Sequence, residues 1–195
     1  MSTQDNDLKP EEFGQAAIAV IADARERGFR EAAEVLAGSG LCGVCAAEDA
    51  GGLALGIGFA LPIVAQAGAQ RLQWPLLETM LIAKALGASP LAAELVAGTR
   101  VATWALQGDV KAGVAGHARH AAQCDWALVA DGLGGAALLD VASVDVQEDG
   151  ALDPEHPQAW LDLGQAEVVA TLDAAAFATL QREGQILIAG CVNGA

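Results

Sequence analysis

Between Gly51 and Ala69 the chain carries a single polar side chain, Gln66. A run so long and apolar has two destinations: the hydrocarbon of a bilayer, or the middle of a helical bundle that covers every face. Pro62 falls inside it, Gly56 and Gly58 interrupt it, and Glu48 and Asp49 precede it. These features favour the bundle, and no membrane span is expected. The predicted helix covers Gly52 to Gln70 and bends at Pro62.

The flanking segments supply the other helices. Pro10 suits a first turn, with Glu11 and Glu12 at the positive end of the dipole. Phe13, Ala16, Ala17, Val20, Ile21 and Ala24 recur at helical spacing, and Gly28 closes that helix after Arg25 and Arg27. A short second helix follows from Glu31 to Leu36, then a loop at Gly38, Gly40 and Gly43. A fourth helix starts at Trp74-Pro75 and runs to about Leu86, and a fifth runs from Pro90 to Val96 with Ser89 as its cap. The texture changes near Gly98-Thr99. Val101–Leu106, Trp126–Ala130, Ala136–Val141, Val144–Val146 and Val168–Thr171 read as short strands, separated by turn signals such as Asp149-Gly150 and Asp153-Pro154. After Asp173, a plausible N-cap, a last helix presents Phe177, Leu180, Leu187, Ile188 and Cys191 on one face. That stripe needs something to cover it, in this chain or another. The expected fold class is α+β: an N-terminal all-helical bundle over residues 1–98, a small antiparallel β middle domain over 99–172, and the start of a C-terminal helix over 173–195.

Composition narrows the functions. Ten Lys and Arg against 25 Asp and Glu give a net charge of −15, which speaks against nucleic acid as a partner. Hydrophobic residues at 53 % and charged residues at 18 % describe a folded chain. Aromatic residues are only 4 % and tyrosine is absent, so the core is built from Ala, Leu, Val and Ile. Four cysteines do not make a disulfide framework, and the polar Met1–Asp7 start lacks a signal-peptide pattern; both point to the cytoplasm. Cys42 and Cys45 have metal-like spacing, and His117 and His120 could complete four ligands. Their small apolar neighbours favour structural thiols instead. His117 and His120 flank Arg119 as anion contacts or as solvated loop residues. Trp104 and Trp126 read as core, and Asp145–Asp153 as a solvated acidic turn.

Several patterns together resemble the acyl-CoA dehydrogenase family of flavoproteins. Glu48-Asp49-Ala50-Gly51-Gly52 resembles that family's Pro-Glu-x-x-Gly-Gly loop, with Ala47 in place of the proline. Ala121-Ala122-Gln123-Cys124-Asp125-Trp126-Ala127-Leu128-Val129 resembles its Ala-x-x-Ala-Asp-x-x-Leu-Val strand, and Gly184–Gly190 the opening of its C-terminal helical domain. The resemblance implies a helical domain, a β-domain and FAD, with acyl-CoA as substrate and α,β-desaturation of the thioester as the reaction.

The departures shape the expected role. Family members are about twice as long and end in a helical domain that carries the catalytic glutamate. Their Thr-Glu-Pro-x-x-Gly-Ser-Asp stretch is reduced here to Leu106-Gln107-Gly108-Asp109-Val110-Lys111. Gly116-His117-Ala118-Arg119-His120 stands where a hydroxyl would meet flavin. No catalytic residue is carried over, and no metal ligand is assigned. The cofactor-binding residues implied are Leu106, Gln107, Gly108, Arg100, Lys111 and His117. The resemblance implies a non-catalytic subunit or a fragment that shares FAD with a homologous partner in a heteromer, with a steroid-derived acyl group among the substrates it implies. The alternative is an assembly or binding protein derived from the same fold.

Overall fold

The computed structural model describes residues 8–150 and 155–194. The Met1–Asp7 start and the Asp153-Pro154 turn signal lie outside the described residues. Helix α1 spans Pro10–Arg25 and α2 Phe29–Gly38. On α1 the buried positions are Gly14, Ala17, Ile21 and Ala24. Ala16, expected on that face, is exposed, and Gly14 takes its place because the backbone of α1 closes onto Pro62, only 2.7 Å from an ideal Gly14 Cβ. α2 starts two residues earlier than the periodicity implies, where the Gly28 N–H donates to the Glu31 carboxylate at 3.3 Å.

Helix α3 runs Ile57–Ala69 with Pro62 inside it. It starts five residues later than expected, because Glu48–Ala50 closes a short 3₁₀ turn and the chain then folds back on the loop before it. Gly51 adopts φ +84°, and an ideal Cβ on Gly52 would lie 2.2 Å from the Ala46 carbonyl oxygen, so both glycines are required there. Helices α4 (Leu76–Ala85) and α5 (Pro90–Val96) follow, and Ser89 Oγ accepts from the Ala92 N–H at 3.1 Å. Among the described residues no helix is long and apolar enough to cross a membrane.

Among the described residues eight strands form two four-stranded sheets. The first has order β1 (Ala102–Trp104), β4 (Trp126–Ala130), β5 (Ala136–Asp140), β8 (Val168–Leu172). Its β1–β4 pair is parallel and the other pairs are antiparallel. The second has order β2 (Gln107–Asp109), β3 (Val114–Arg119), β7 (Gln158–Asp162), β6 (Asp145–Asp149) and is antiparallel throughout. Three of these strands, β2, β3 and β7, are not evident from hydropathy, and β6 carries the strand expected at Val144–Val146 on into the acidic segment expected as a turn. Its opposite neighbour is β7, with Val146 paired to Leu161.

The first sheet is covered on both faces. Ala102, Trp104, Trp126, Leu128 and Leu138 join the helical core, while Ala127, Val129, Ala137 and Leu139 face the second sheet. Strand alternation divides the two sets. Helix α6 (Ala174–Gly194) packs back onto α3 and α4. Phe177, Leu180, Gly184 and Leu187 are its buried residues, whereas Ile188 is exposed and Cys191 half-buried. Glycines set that crossing: ideal Cβ atoms on Gly68 and Gly194 would each lie 1.9 Å from a backbone carbonyl oxygen of the other helix, Cys191 and Ala65 respectively.

Candidate functional site

Strand β1 ends at Trp104 in the first sheet, and the chain crosses to the second through Ala105 and Leu106. Leu106 is 54 % exposed. Gln107 and Gly108 then pair with Gly116 and Ala115 of β3. Gly108 has φ +75°, and an ideal Cβ would meet the Val114 carbonyl oxygen at 2.2 Å, so no other residue fits that position. The β3–β7 register shifts between Ala115 and Ala118, and His117 sits in that irregularity at φ +54°. Its Nδ1 is 2.7 Å from Gln158 Oε1, and its ring lies 5.9 Å from that of Trp160. Trp160 lies across Gly116, whose ideal Cβ would be 2.7 Å from the indole carbons. The structure therefore places Gln107 and Gly108 on β2, paired with the β3 segment that carries His117, with Leu106 just before them.

Two expected members stand elsewhere. Arg100 precedes β1 at its other end, where its guanidinium donates to Asp125 Oδ1 at 3.0 Å and lies 3.5 Å from Glu94. Lys111 is in the β2–β3 turn, beside Asp109 and Gly132. The chemistry of the patch is that of a binding surface: an indole plate 38 % exposed, an imidazole and an exposed primary amide. It does not make a complete flavin pocket from this chain alone. The backbone cradle at Gly108 is filled by Val114, His117 Nδ1 is engaged with Gln158, and Arg100 is engaged with two carboxylates.

Trp160 and Gln158 were invisible to motif reading. Their signal is the alternation Gln158, Trp160, Asp162 outward against Ala159 and Leu161 inward. Sequence reading also missed the polar ties between helices and sheets. Asp125 accepts from Arg30 at 2.6 Å, Arg100 at 3.0 Å and the Val101 N–H at 2.8 Å. Burial alone would raise its carboxyl, but those donors outweigh burial and hold it below the usual carboxylate range. Arg119 Nε donates to Glu78 at 2.9 Å, joining β3 to α4. Glu183, the acid on α6, is ion-paired to Lys84 of α4.

The cysteines and histidines do not converge. Burial pushes the Cys42 thiol up to about 12 and the Cys45 thiol up to about 11, so both stay protonated in the helical core. Among the described residues no three His, Cys, Asp or Glu side chains are grouped to hold a metal ion. His120 is 3 % exposed rather than a solvated loop residue, with its ring 5.9 Å from Phe29.

No protein-family model and no curated protein matches the sequence. Solved structures do. A variant of the Tcur3481–Tcur3483 steroid ACAD aligns with TM-score 0.77 and 21 % identity, over 93 % of this chain and 62 % of that one. The ChsE4–ChsE5 complex from Mycobacterium tuberculosis aligns with TM-score 0.72 and 17 % identity, over 98 % and 65 %. A glutaryl-CoA dehydrogenase from Mycobacterium smegmatis in complex with FADH2 aligns with TM-score 0.67 and 12 % identity, over 98 % and 64 %. The chain thus spans less than two thirds of the length of these structures. Its helical bundle, paired sheets and returning helix are those of the acyl-CoA dehydrogenase fold.

Proposed function

We propose that this chain is a component of an acyl-CoA dehydrogenase-like flavoprotein, in the role of the non-catalytic subunit or fragment. The whole assembly would remove two hydrogens across the α,β-carbons of an acyl-CoA thioester, and we assign a steroid-derived acyl group. FAD would be shared with a homologous partner in a heteromer, in the cytoplasm. The three-domain division at residues 98 and 172 belongs to the same proposal.

The carrying observation is the fold match over 93–98 % of the chain to a steroid ACAD and to a two-protein complex, set beside a sheet patch that does not complete a flavin pocket. Leu106, Gln107, Gly108 and His117 would form one wall of the shared cleft. Arg100 and Lys111 would reach phosphate only where a partner displaces their present neighbours. The exposed face of α6, with Ile186 49 % and Val192 69 % exposed, gives a partner an apolar seat. The assembly reading keeps the partner and drops the cofactor; the engaged state of Arg100 and His117 favours it.

Purification alone and together with candidate homologous subunits, followed by visible absorbance, separates the readings. A flavin band only in the complex, weakened by Gln107→Ala and His117→Ala, supports the shared cleft. A stable complex without flavin supports assembly. A flavin-bearing chain that desaturates a thioester unaided overturns both.

A further inference from the structure

The second sheet sets a tryptophan and two amides in one row across its strands. Gln147 on the β6 edge pairs with Trp160 on β7, and Gln107 on β2 pairs with Gly116 on β3. Directly paired residues send their side chains to the same face of a sheet. The Trp160 indole reaches over β3 and covers Gly116, where an ideal Cβ would lie 2.7 Å from Cε3 and Cζ3. Glycine at 116 is what lets the indole lie down on β3, and Gln107 shares the face of Trp160 and Gln147. Although Gly116 lies against it, Trp160 keeps 38 % of its surface exposed, whereas Trp74, Trp104 and Trp126 keep 1 %, 8 % and 5 %. Gln107 and Gln147, both exposed, stand three strand spacings apart, about 14 Å, which leaves room for a fused tricyclic plate between their amides. The His117 ring is 5.9 Å from the indole; its Nδ1 donates to Gln158 Oε1, which leaves Nε2 as an acceptor.

The charge around the indole has one sign. Asp162 lies two residues along β7 from Trp160 and its sheet partner is Asp145, while Asp149 pairs with Gln158, so all three acids share the face of the indole. Gln147 Nε2 donates to Asp145 at 3.3 Å. Among the described residues of these four strands the one Lys or Arg is Arg119, and its guanidinium is held by Glu78. A phosphate brought to this face meets carboxylates and no free cation. An uncharged flat ring meets an indole on which it can stack.

We propose that this row seats the uncharged ring system of a flavin and none of its phosphates. The isoalloxazine stacks on Trp160, the amides of Gln107 and Gln147 meet its polar edges, and the phosphate-bearing tail belongs to the partner chain. The proposal rests on the shared-cleft reading and adds a division of labour to it, with the ring on this chain and the phosphates on the other.

The probe is lumiflavin, the ring system without ribityl chain or phosphate, titrated with the full chain at low ionic strength, with FMN in a second arm. Flavin fluorescence reports stacking, because an indole in contact quenches it. The expected result is saturable quenching of lumiflavin, weakened about tenfold by Trp160→Leu. FMN should bind about threefold more weakly than lumiflavin, and the gap should close on adding salt or in the exposed edge-strand pair Asp145→Asn and Asp149→Asn. If Trp160→Leu fails to fold, Gln147→Ala, an exposed change on β6, carries the test and should weaken lumiflavin about threefold. No saturable quenching, FMN bound as tightly as lumiflavin at low salt, or unchanged affinity in the variants overturns the seat. The two-chain complex separates this outcome from the reading beneath it. Flavin retained there by Trp160→Leu overturns the seat alone, whereas lumiflavin bound by this chain with no flavin in any complex overturns the shared cleft alone.

Discussion

At the scale of single residues, Asp125 is the side chain on which most polar order converges. It is one carboxylate with donors from α2, from the segment before β1 and from the backbone of Val101. Asp125→Ala should therefore cost about 2–3 kcal/mol, since several charge-assisted bonds vanish and partners are stranded. Arg100→Ala should cost well under ~1 kcal/mol, because its side chain is half exposed. Urea denaturation of both variants checks the ranking. Acid should act first through His120. Its imidazole is held neutral in the fold down to about 4, whereas an unfolded histidine takes up a proton near ~6.5. Stability is thus full above that upper value and falls as pH drops through the window; Asp125 adds its own loss only later, below ~3.9, as pH falls through its depressed folded value. His120→Asn, which tolerates the left-handed backbone at φ +54°, should flatten the urea midpoint between these two pH limits. The sequence made Asp125 legible only as part of a strand pattern. Its donors come from Arg30 and from the neighbouring Arg100 and Val101, all far from it along the chain, and no spacing rule joins them.

At the scale of elements, the helices were legible because their signals are local: Pro10 and Pro90 open α1 and α5, Ser89 caps α5, and the apolar run marks α3. Most strands of the second sheet were not; only the start of β6 was, at Val144–Val146. β2 is three residues with a glycine, β3 has glycine and histidine at its middle with a register shift, and the rest of β6 is acidic because it is an edge. Each is held by its neighbours rather than by propensity, which is how edge and bulged strands are usually made. The fate of α6 was open as well, since an amphipathic stripe does not name what covers it. The answer lies in small residues: α3 and α6 approach so closely that Gly68 touches the Cys191 backbone. Gly68→Leu should destabilise the protein by about 2 kcal/mol or more. Gly58→Ala, in the same helix with open space around it, should be neutral or stabilise by up to about 1 kcal/mol. Thermal melts of the pair check that the crossing, not glycine content, decides the outcome.

At the scale of the molecule, the order of helices, sheets and a returning helix was legible from texture, and the fold comparison bears out that order and the resemblance drawn from the Glu48–Gly52 and Ala121–Val129 motifs. The placement of the residues named for the site was not legible: Gln107 and Gly108 pair with β3 beside His117, whereas Arg100 lies at the far end of β1, tied to Asp125. The core that joins the two sheets is mostly alanine: Ala105, Ala115, Ala118, Ala121, Ala127, Ala137 and Ala159. One methyl removes little area from water, roughly 0.8 kcal/mol worth, whereas the first sheet also rests on Trp104, Trp126 and Leu138 against the helices. Amide hydrogen exchange should accordingly report two unravelling steps, with the amides of β2, β3, β6 and β7 swapping for deuterium well before those of β4 and β5. A single common exchange rate across both sheets would mean that a layer of alanines with Val129, Leu139, Val141, Leu161 and Leu163 welds them as firmly as the large rings weld the inner sheet to the helices.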